Sequence, residues 1–407
     1  MLKRIAVKNL RLGMYITEFC GAWTDHPFWR ERFLLNSASD LKRIIDSAIR
    51  EVWIETSKGL DVGTDVPAVS LAQANSSADA VLASVAERKV KNVANVSMEE
   101  EVLAALRLCE RSKTAIMEMF NQVRMGCAID LQGVSQLVDT IADSIVRHPH
   151  ALISLARLKS VNEYTYMHSV AVSGLMIGLA RQLGLSESNV HEAGLAGLLH
   201  DIGKMAIPLE ILDKPGKLTG EEFSVIYQHP ELGARILMDS HQVSAMVLDV
   251  CLQHHEKVDG TGYPHKLSGE QISMLGRMAA VCDVYDAVTS DRPYKKGWGP
   301  ADAMHKMAEW EGHFDPVIFQ AFVKYMGIYP VGSLVRLESG RLAVVLEQNE
   351  SSLLTPKVKV FFSTQKKMSI PQEVVDLSKK RSADRIVSRE AHDAWNFKNL
   401  NYLWTGQ

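Results

Sequence analysis

The sequence predicts a mainly α protein in three parts: a small α+β module, a central helical bundle and a short β-rich appendage. Apolar residues recur at helical spacing through most of residues 98–330. Strand-like runs are confined to residues 1–62 and to the stretch after Pro330. A chain of 407 residues is also longer than one compact core usually spans, so several domains are expected.

Residues 1–62 carry the β-type runs Ile5-Ala6-Val7, Met14-Tyr15-Ile16-Thr17 and Glu51-Val52-Trp53-Ile54, with a helix-like stretch over 39–50. Trp23, Phe28 and Trp29 gather around Pro27, which suits core or interdomain packing. Residues 63–97 are rich in Ala, Ser, Val and Asn without a clear period and read as a linker. Ser97 with Glu100 then forms a capping-box signature that opens a helix.

Two amphipathic runs follow, one through Leu106, Cys109, Ile116, Phe120 and Val123, the other through Val134, Leu137, Val138, Ile141, Ile145 and Val146. They predict a pair of helices. Residues 164–183 are apolar nearly all round, which marks a central helix rather than a surface one. Ser186 opens the next helix, which ends near His200, and Thr219 with Glu222 makes a second capping box. Pro230 marks a helix start, and residues 243–255 and 272–289 complete the bundle. Residues 331–407 form the β-rich appendage and a polar tail, with alternating runs at 334–337, 342–346 and 358–362.

Composition excludes several function classes. A formal net charge of -3 gives no reason to expect nucleic acid or a membrane surface as partner. The five cysteines are scattered and form no CxxC pair, which argues against a disulfide framework or a zinc ribbon and fits a reducing cytoplasm. The N-terminus lacks an apolar signal core, and the most apolar stretch, 170–180, is about half a membrane span. A cytoplasmic protein is expected.

Of the 14 histidines, ten lie between His168 and His313. His168 sits inside the all-apolar helix. His200-Asp201 ends the run Leu195-Ala196-Gly197-Leu198-Leu199, His229 precedes Pro230, His254 falls on the core side of its helix, and Asp283 interrupts a core-facing run. Imidazoles and carboxylates buried from separate helices need one another or a cation. Neutral imidazoles with carboxylates suit first-row divalent metals, and a carboxylate such as Asp201 can give one oxygen to each of two ions. A buried His/Asp hydrogen-bond network is the metal-free alternative.

His200-Asp201-Ile202-Gly203-Lys204 has the form HDxGK, and residues 254–264 have the form HHExxDGxGYP. Together they resemble the HD-GYP phosphodiesterases of the HD superfamily, over about residues 98–330. Residues 1–62 resemble the DUF3391 module that precedes some members. The resemblance implies an HD-superfamily helical bundle that hydrolyses cyclic di-GMP to pGpG through a two-metal-activated water, with further hydrolysis to GMP left open.

It also implies a ligand set. His168, His200, Asp201 and Asp283 would hold one ion, with Asp201 bridging to a second held by His229, His254 and His255. Lys204 would reach the scissile phosphate, and Arg292 and Lys295 would grip the substrate. The metals implied are iron or manganese first, with nickel, cobalt or zinc acceptable to such ligands. Some members hold a third ion through a Glu four residues before the first His. Here that position is Tyr164, and Glu163 points elsewhere on the helix, so a binuclear site is expected. The two glycines of Gly260-Thr261-Gly262 suggest a turn with unusual backbone angles. Tyr263 suits either packing beneath the ligands or a surface for a partner protein.

Two other readings compete: a cyclic di-GMP sensor or scaffold whose metal site is structural, and an enzyme for another cyclic dinucleotide. A protein partner at the Gly-Tyr-Pro loop or the N-terminal module, and a homodimer through the paired helices, stay open. His191, His241, His265, His305 and His313 fall outside the motifs and read as ordinary.

Overall fold

The structure is a computed structural model. It describes residues 1–21, 32–63, 66–86, 96–158, 164–212, 214, 218–240, 243–291, 296–349, 351–379, 384–395, 397 and 399–406. The aromatic cluster at Trp23, Phe28 and Trp29 lies outside them.

The chain divides into two compact units, the first being Met1–Ala83 with His305–His313. Its strands are β1 (Leu2–Ala6), β2 (Tyr15–Phe19), β3 (Phe33–Leu34), β4 (Glu51–Glu55) and β5 (Val69–Ser70), in the sheet order β3-β2-β4-β1-β5. Helix α1 (Ala38–Ile45) is capped by the Ser37 side chain, which accepts from the Asp40 amide. Ile5, Met14, Ile16, Leu35, Ile44, Val52 and Ile54 form the core of this unit. The stretch expected to be a linker contains β5 and helix α2 (Leu71–Ala83). Its buried stripe is Ala74, Ala78 and Leu82, a four-residue spacing carried mostly by alanines. Alanine adds too little apolar surface for such a stripe to stand out in the sequence.

The second unit, Ser84–Met304 with Phe314–Gln407, holds the bundle and the appendage. Helix α3 (Met98–Arg124) begins at the Ser97/Glu100 capping box, and α4 (Leu131–Arg147) follows. Buried Glu101 of α3 accepts from Ser144 at 2.9 Å and from Arg147 at 2.8 and 2.9 Å, which ties the two helices together. After α5 (Ala151–Ala156) comes α6 (Tyr164–Leu183), buried without interruption from residue 167 to 180. It is the central helix the sequence calls for, packed by α3, α4 and α5 and by α7 (Glu187–Leu199).

The remaining helices are α8 (Leu209–Leu212), α9 (Gly220–Ile226), α10 (His229–Asp239), α11 (Ala245–Gln253), α12 (Met274–Thr289), α13 (Pro300–Glu309) and α14 (Pro316–Met326). Five antiparallel strands then make the appendage: β6 (Leu334–Leu337), β7 (Arg341–Glu347), β8 (Lys357–Ser363), β9 (Met368–Asp376) and β10 (Ile386–Arg389), in the order β10-β6-β7-β8-β9. A short helix, α15 (Tyr402–Thr405), ends the described chain. The strand runs read from sequence correspond to β6, β7 and β8. The edge strands β9 and β10 escape that reading because β9 is exposed along most of its length and contains Pro371, so neither shows alternation. Among the described residues, no helix is long and apolar enough to cross a membrane.

One close contact fixes the central helix. A Cβ at Gly178 of α6 would lie 2.0 Å from the Tyr325 ring of α14, and the Tyr325 hydroxyl donates to the Pro149 carbonyl at 2.7 Å. Gly178→Ala is expected to destabilise the protein by about 1–3 kcal/mol through overpacking. Tyr325→Phe, which keeps the ring and loses a buried hydrogen bond, is expected to cost about 1–2 kcal/mol. Thermal unfolding of the two variants checks this; a wild-type melting temperature for Gly178→Ala contradicts it.

Candidate metal centre

The sequence places ligating groups at helix ends, and the fold turns those ends toward one point. His168 comes from the second turn of α6. His200 caps the C-terminus of α7, and Asp201 follows at the entry to a 3-10 turn over Ile202–Ala206. His229 is the first residue of α10, His254 caps α11, His255 follows it, and Asp283 lies on α12. All but His255 are buried, and His255 is half-buried. Gly203 allows the close approach of these elements, because a Cβ there would sit 1.9 Å from the His229 carbonyl oxygen.

Asp201 is central. Its Oδ2 lies 3.3 Å from His200 Nε2 and 3.6 Å from His168 Nε2, while Oδ1 lies 3.3 Å from His229 Nε2 and 3.7 Å from His254 Nε2. Asp283 Oδ1 is 3.0 Å from His168 Nε2, and its Oδ2 is 3.7 Å from His255 Nδ1. The seven residues form two groups that could each hold a metal ion: His168, His200 and Asp283, and Asp201, His229, His254 and His255.

The ring orientations test whether a cation fits. His200 Nδ1 donates to the Gly197 carbonyl at 2.8 Å, His229 Nδ1 to Ile226 at 2.7 Å and His254 Nδ1 to Cys251 at 2.9 Å. A neutral ring that donates through Nδ1 has a bare lone pair at Nε2. His229 and His254 bring those two atoms within 3.2 Å of each other. Two facing lone pairs repel unless something positive lies beside them. His200 Nε2 and Asp201 Oδ1 are buried without a hydrogen-bond partner. Leaving such groups unmatched is costly, and a divalent cation at each of the two groups would satisfy them.

The electrostatics agree. Burial pulls His229 down to about 4 and His254 down to about 3, and it holds His255 well below the ordinary value. Burial alone would raise the Asp201 carboxyl, but Lys204, His200 and His229 hold it well below the usual range. For Asp283 burial is likewise outweighed, first by the adjacent His168 ring. His200 moves the other way: burial would lower it, but the Asp201 charge raises it. Near neutral pH the pocket therefore presents ionised carboxylates and mostly neutral imidazoles, the forms that bind metal.

Lys204 lies one turn from Asp201, and its ammonium donates to Asp201 Oδ2 at 2.5 Å. Arg292 and Lys295 lie outside the described residues, as do His241 and Glu163. Position 164 begins α6, and its side chain is not among the described groups. The Gly-Tyr-Pro loop packs against the site: the Tyr263 ring stacks on His255 with centroids 4.6 Å apart, and Tyr227 lies 4.4 Å away on Tyr263. Gly260 has the positive φ expected of a turn, +77°. Gly262 is needed for space instead of angle, since a Cβ would lie 2.4 Å from Glu256 Cα.

Sequence reasoning missed two carboxylates. Buried Glu256 accepts from the amides of His265 at 2.7 Å and Leu267 at 3.0 Å, closing the loop that carries Tyr263. Asp286 lies 2.7 Å from His168 Nδ1. Its signal was available, because it interrupts the same buried helix as Asp283 one turn later. Among the histidines read as ordinary, His305 is buried between Asp79 and Glu309 at 3.2 and 3.1 Å, and His191 lies 3.0 Å from the Ser135 hydroxyl.

Comparison with known proteins places this site in a class. The HD domain family matches residues 139–318, and the domain of unknown function DUF3391 matches residues 2–134, well past the 62 residues in which the resemblance was visible. Across its whole length the chain is 61% identical to a cyclic di-GMP phosphodiesterase of Pseudomonas aeruginosa, covering 100% of this chain and 96% of that one. It is 44% identical to the cyclic di-GMP phosphodiesterase response regulator RpfG of Xanthomonas campestris, over 38% of this chain and 40% of the other. It is also 38% identical to a 3'3'-cGAMP-specific phosphodiesterase of Vibrio cholerae, over 36% and 28% respectively. The chain belongs to the HD-GYP cyclic di-GMP phosphodiesterases of the HD superfamily.

The lowered imidazoles set an acid limit on the metal-free protein. Between about pH 6.5, the ordinary histidine value, and about 4, the unfolded chain takes up protons that His229, His254 and His255 refuse when folded. Stability should therefore fall as pH drops through that window, and further below it as the low-lying Asp201 and Asp283 bind protons. His200, which is raised, opposes the first part of that loss. Denaturant midpoints of chelated protein between pH 7.5 and 4 check this, and a flat profile contradicts it.

Proposed function

We propose that this chain hydrolyses cyclic di-GMP at a binuclear centre formed by His168, His200, Asp201, His229, His254, His255 and Asp283. The observation that carries the reading is Asp201, which offers one carboxylate oxygen to His168 and His200 and the other to His229 and His254. Full-length identity of 61% to a protein named for that activity supports the substrate. When bound, two divalent ions supply Lewis-acid charge and an activated water for attack on the phosphodiester. Iron or manganese are the preferred ions, with nickel, cobalt or zinc compatible with the same ligands.

The protein's own groups do the rest. The main-chain carbonyls hold three of the rings in register before any ion arrives, which reduces reorganisation during the reaction. Lys204 pairs with Asp201, and from that position its ammonium would reach the scissile phosphate if ions occupied the centre. Tyr263 covers the His255 face of the site. In this reading residues 98–330 are the catalytic domain. Met1–Ala83, which include β5 and α2, form a regulatory module, and 331–407 are an appendage. Arg292 and Lys295 are proposed to hold the substrate, pGpG to be the first product, and the cytoplasm to be the site of action.

Anaerobic incubation of the purified chain with cyclic di-GMP and defined metals, resolving pGpG from GMP, tests the reading. Asp201→Ala and the milder Asp201→Asn are expected to lower turnover on the order of 10³-fold or more. Turnover in Asp201→Ala equal to wild type contradicts the assignment. Substrate bound without product at any metal would instead favour a sensor, and preference for 3'3'-cGAMP in a panel would change the substrate.

A further inference from the structure

The four histidines with a described Nδ1 hydrogen bond in the centre are not held alike. His200, His229 and His254 donate through Nδ1 to main-chain carbonyls three residues earlier, so their orientation comes with the helix end. His168 is the fifth residue of α6, inside the helix and not at a junction between helices. Its Nδ1 lies instead 2.7 Å from Asp286 Oδ2, a carboxylate from a different helix and itself 3% exposed.

The geometry is specific. Asp283 and Asp286 are one turn apart on α12, and each faces one nitrogen of the same ring: Asp283 Oδ1 at 3.0 Å from Nε2 and Asp286 Oδ2 at 2.7 Å from Nδ1. The second Asp286 oxygen lies 3.4 Å from the Ser290 hydroxyl, one further turn along the helix. Of the two carboxylates, Asp283 falls in a group able to hold an ion, and Asp286 does not. Asp286 also belongs to a wider cluster: the Arg157 guanidinium acts electrostatically on it, on Tyr285 and on Asp291. On its other side Arg157 packs under the Trp404 ring of α15, 6.0 Å from its centre.

We propose that Asp286 is a positioning residue for the metal centre, which fixes the Nδ1–H tautomer of His168 and strengthens Nε2 as a ligand. The inference rests on the binuclear reading given above. A carboxylate accepting from the distal N–H of a ligating imidazole raises the electron density of the ring. Removing such a group typically weakens metal binding about 10–100-fold.

Full-length wild type, Asp286→Asn and Asp286→Ala, each stripped of metal, are titrated with Mn²⁺ against a chromogenic chelator, and their metal-free melting temperatures are measured. Asp286→Asn keeps an acceptor of the same shape without the charge, and about 10-fold weaker binding of one ion is expected; Asp286→Ala should weaken it by up to about 100-fold. In a His168→Ala background the Asp286 substitution should have no further effect on Mn²⁺ affinity. Wild-type affinity in both single variants, or fully additive losses in the double variant, overturns the proposal. Wild type that binds no Mn²⁺ or other divalent ion overturns the binuclear reading instead, so the two failures are distinguishable.

Discussion

Everything in this protein's site follows from the repulsion between buried lone pairs. Main-chain carbonyls take the Nδ1 protons of His229 and His254, and the two Nε2 atoms are then left 3.2 Å apart. A carboxylate at 3.3 Å adds negative charge to the same pocket. Only positive charge makes the arrangement favourable. Lys204 supplies one such charge to Asp201, and metal ions are the natural source of the rest.

That constraint explains the architecture around it. Helix ends carry five of the seven groups, and three of these, His200, His229 and His254, donate Nδ1–H to a carbonyl three residues earlier. The price of bringing so many ends together is backbone crowding, which Gly203 and Gly262 relieve by lacking a Cβ. The all-round apolar character of α6 has the same origin. A helix that must deliver His168 to the middle of the bundle is surrounded by other helices and has no solvent face. Glu256 and Tyr263 extend the ordering outward, one closing the loop through backbone amides and the other lying flat on His255.

Much of this was legible in the sequence. The capping boxes at Ser97 and Thr219 begin helices as read, and the span of α6 was correct at both ends. The polar residues set in or beside apolar runs, His168, His200, Asp201, His254 and Asp283, do lie together with His229 and His255, which entered through Pro230 and the family motif, because a buried charge with no partner is rarely tolerated. What escaped has physical causes. Helix α2 hid behind an alanine stripe, and the edge strands β9 and β10 lacked alternation. Glu256 sat inside a recognised motif, where its loop-closing role depends on amides nine and eleven residues away. Asp286 could have been suspected from its three-residue offset from Asp283, but which of two buried carboxylates faces which ring nitrogen is set by the crossing of α6 and α12.

The central claim is that two cations share Asp201, and it is tested most directly by anomalous diffraction from crystals of the full chain grown anaerobically with iron or manganese. Two anomalous peaks per chain are expected, one beside His168, His200 and Asp283 and the other beside His229, His254 and His255, with an Asp201 oxygen within reach of each. A single peak, or two peaks with Asp201 bound to neither or to only one, would contradict it.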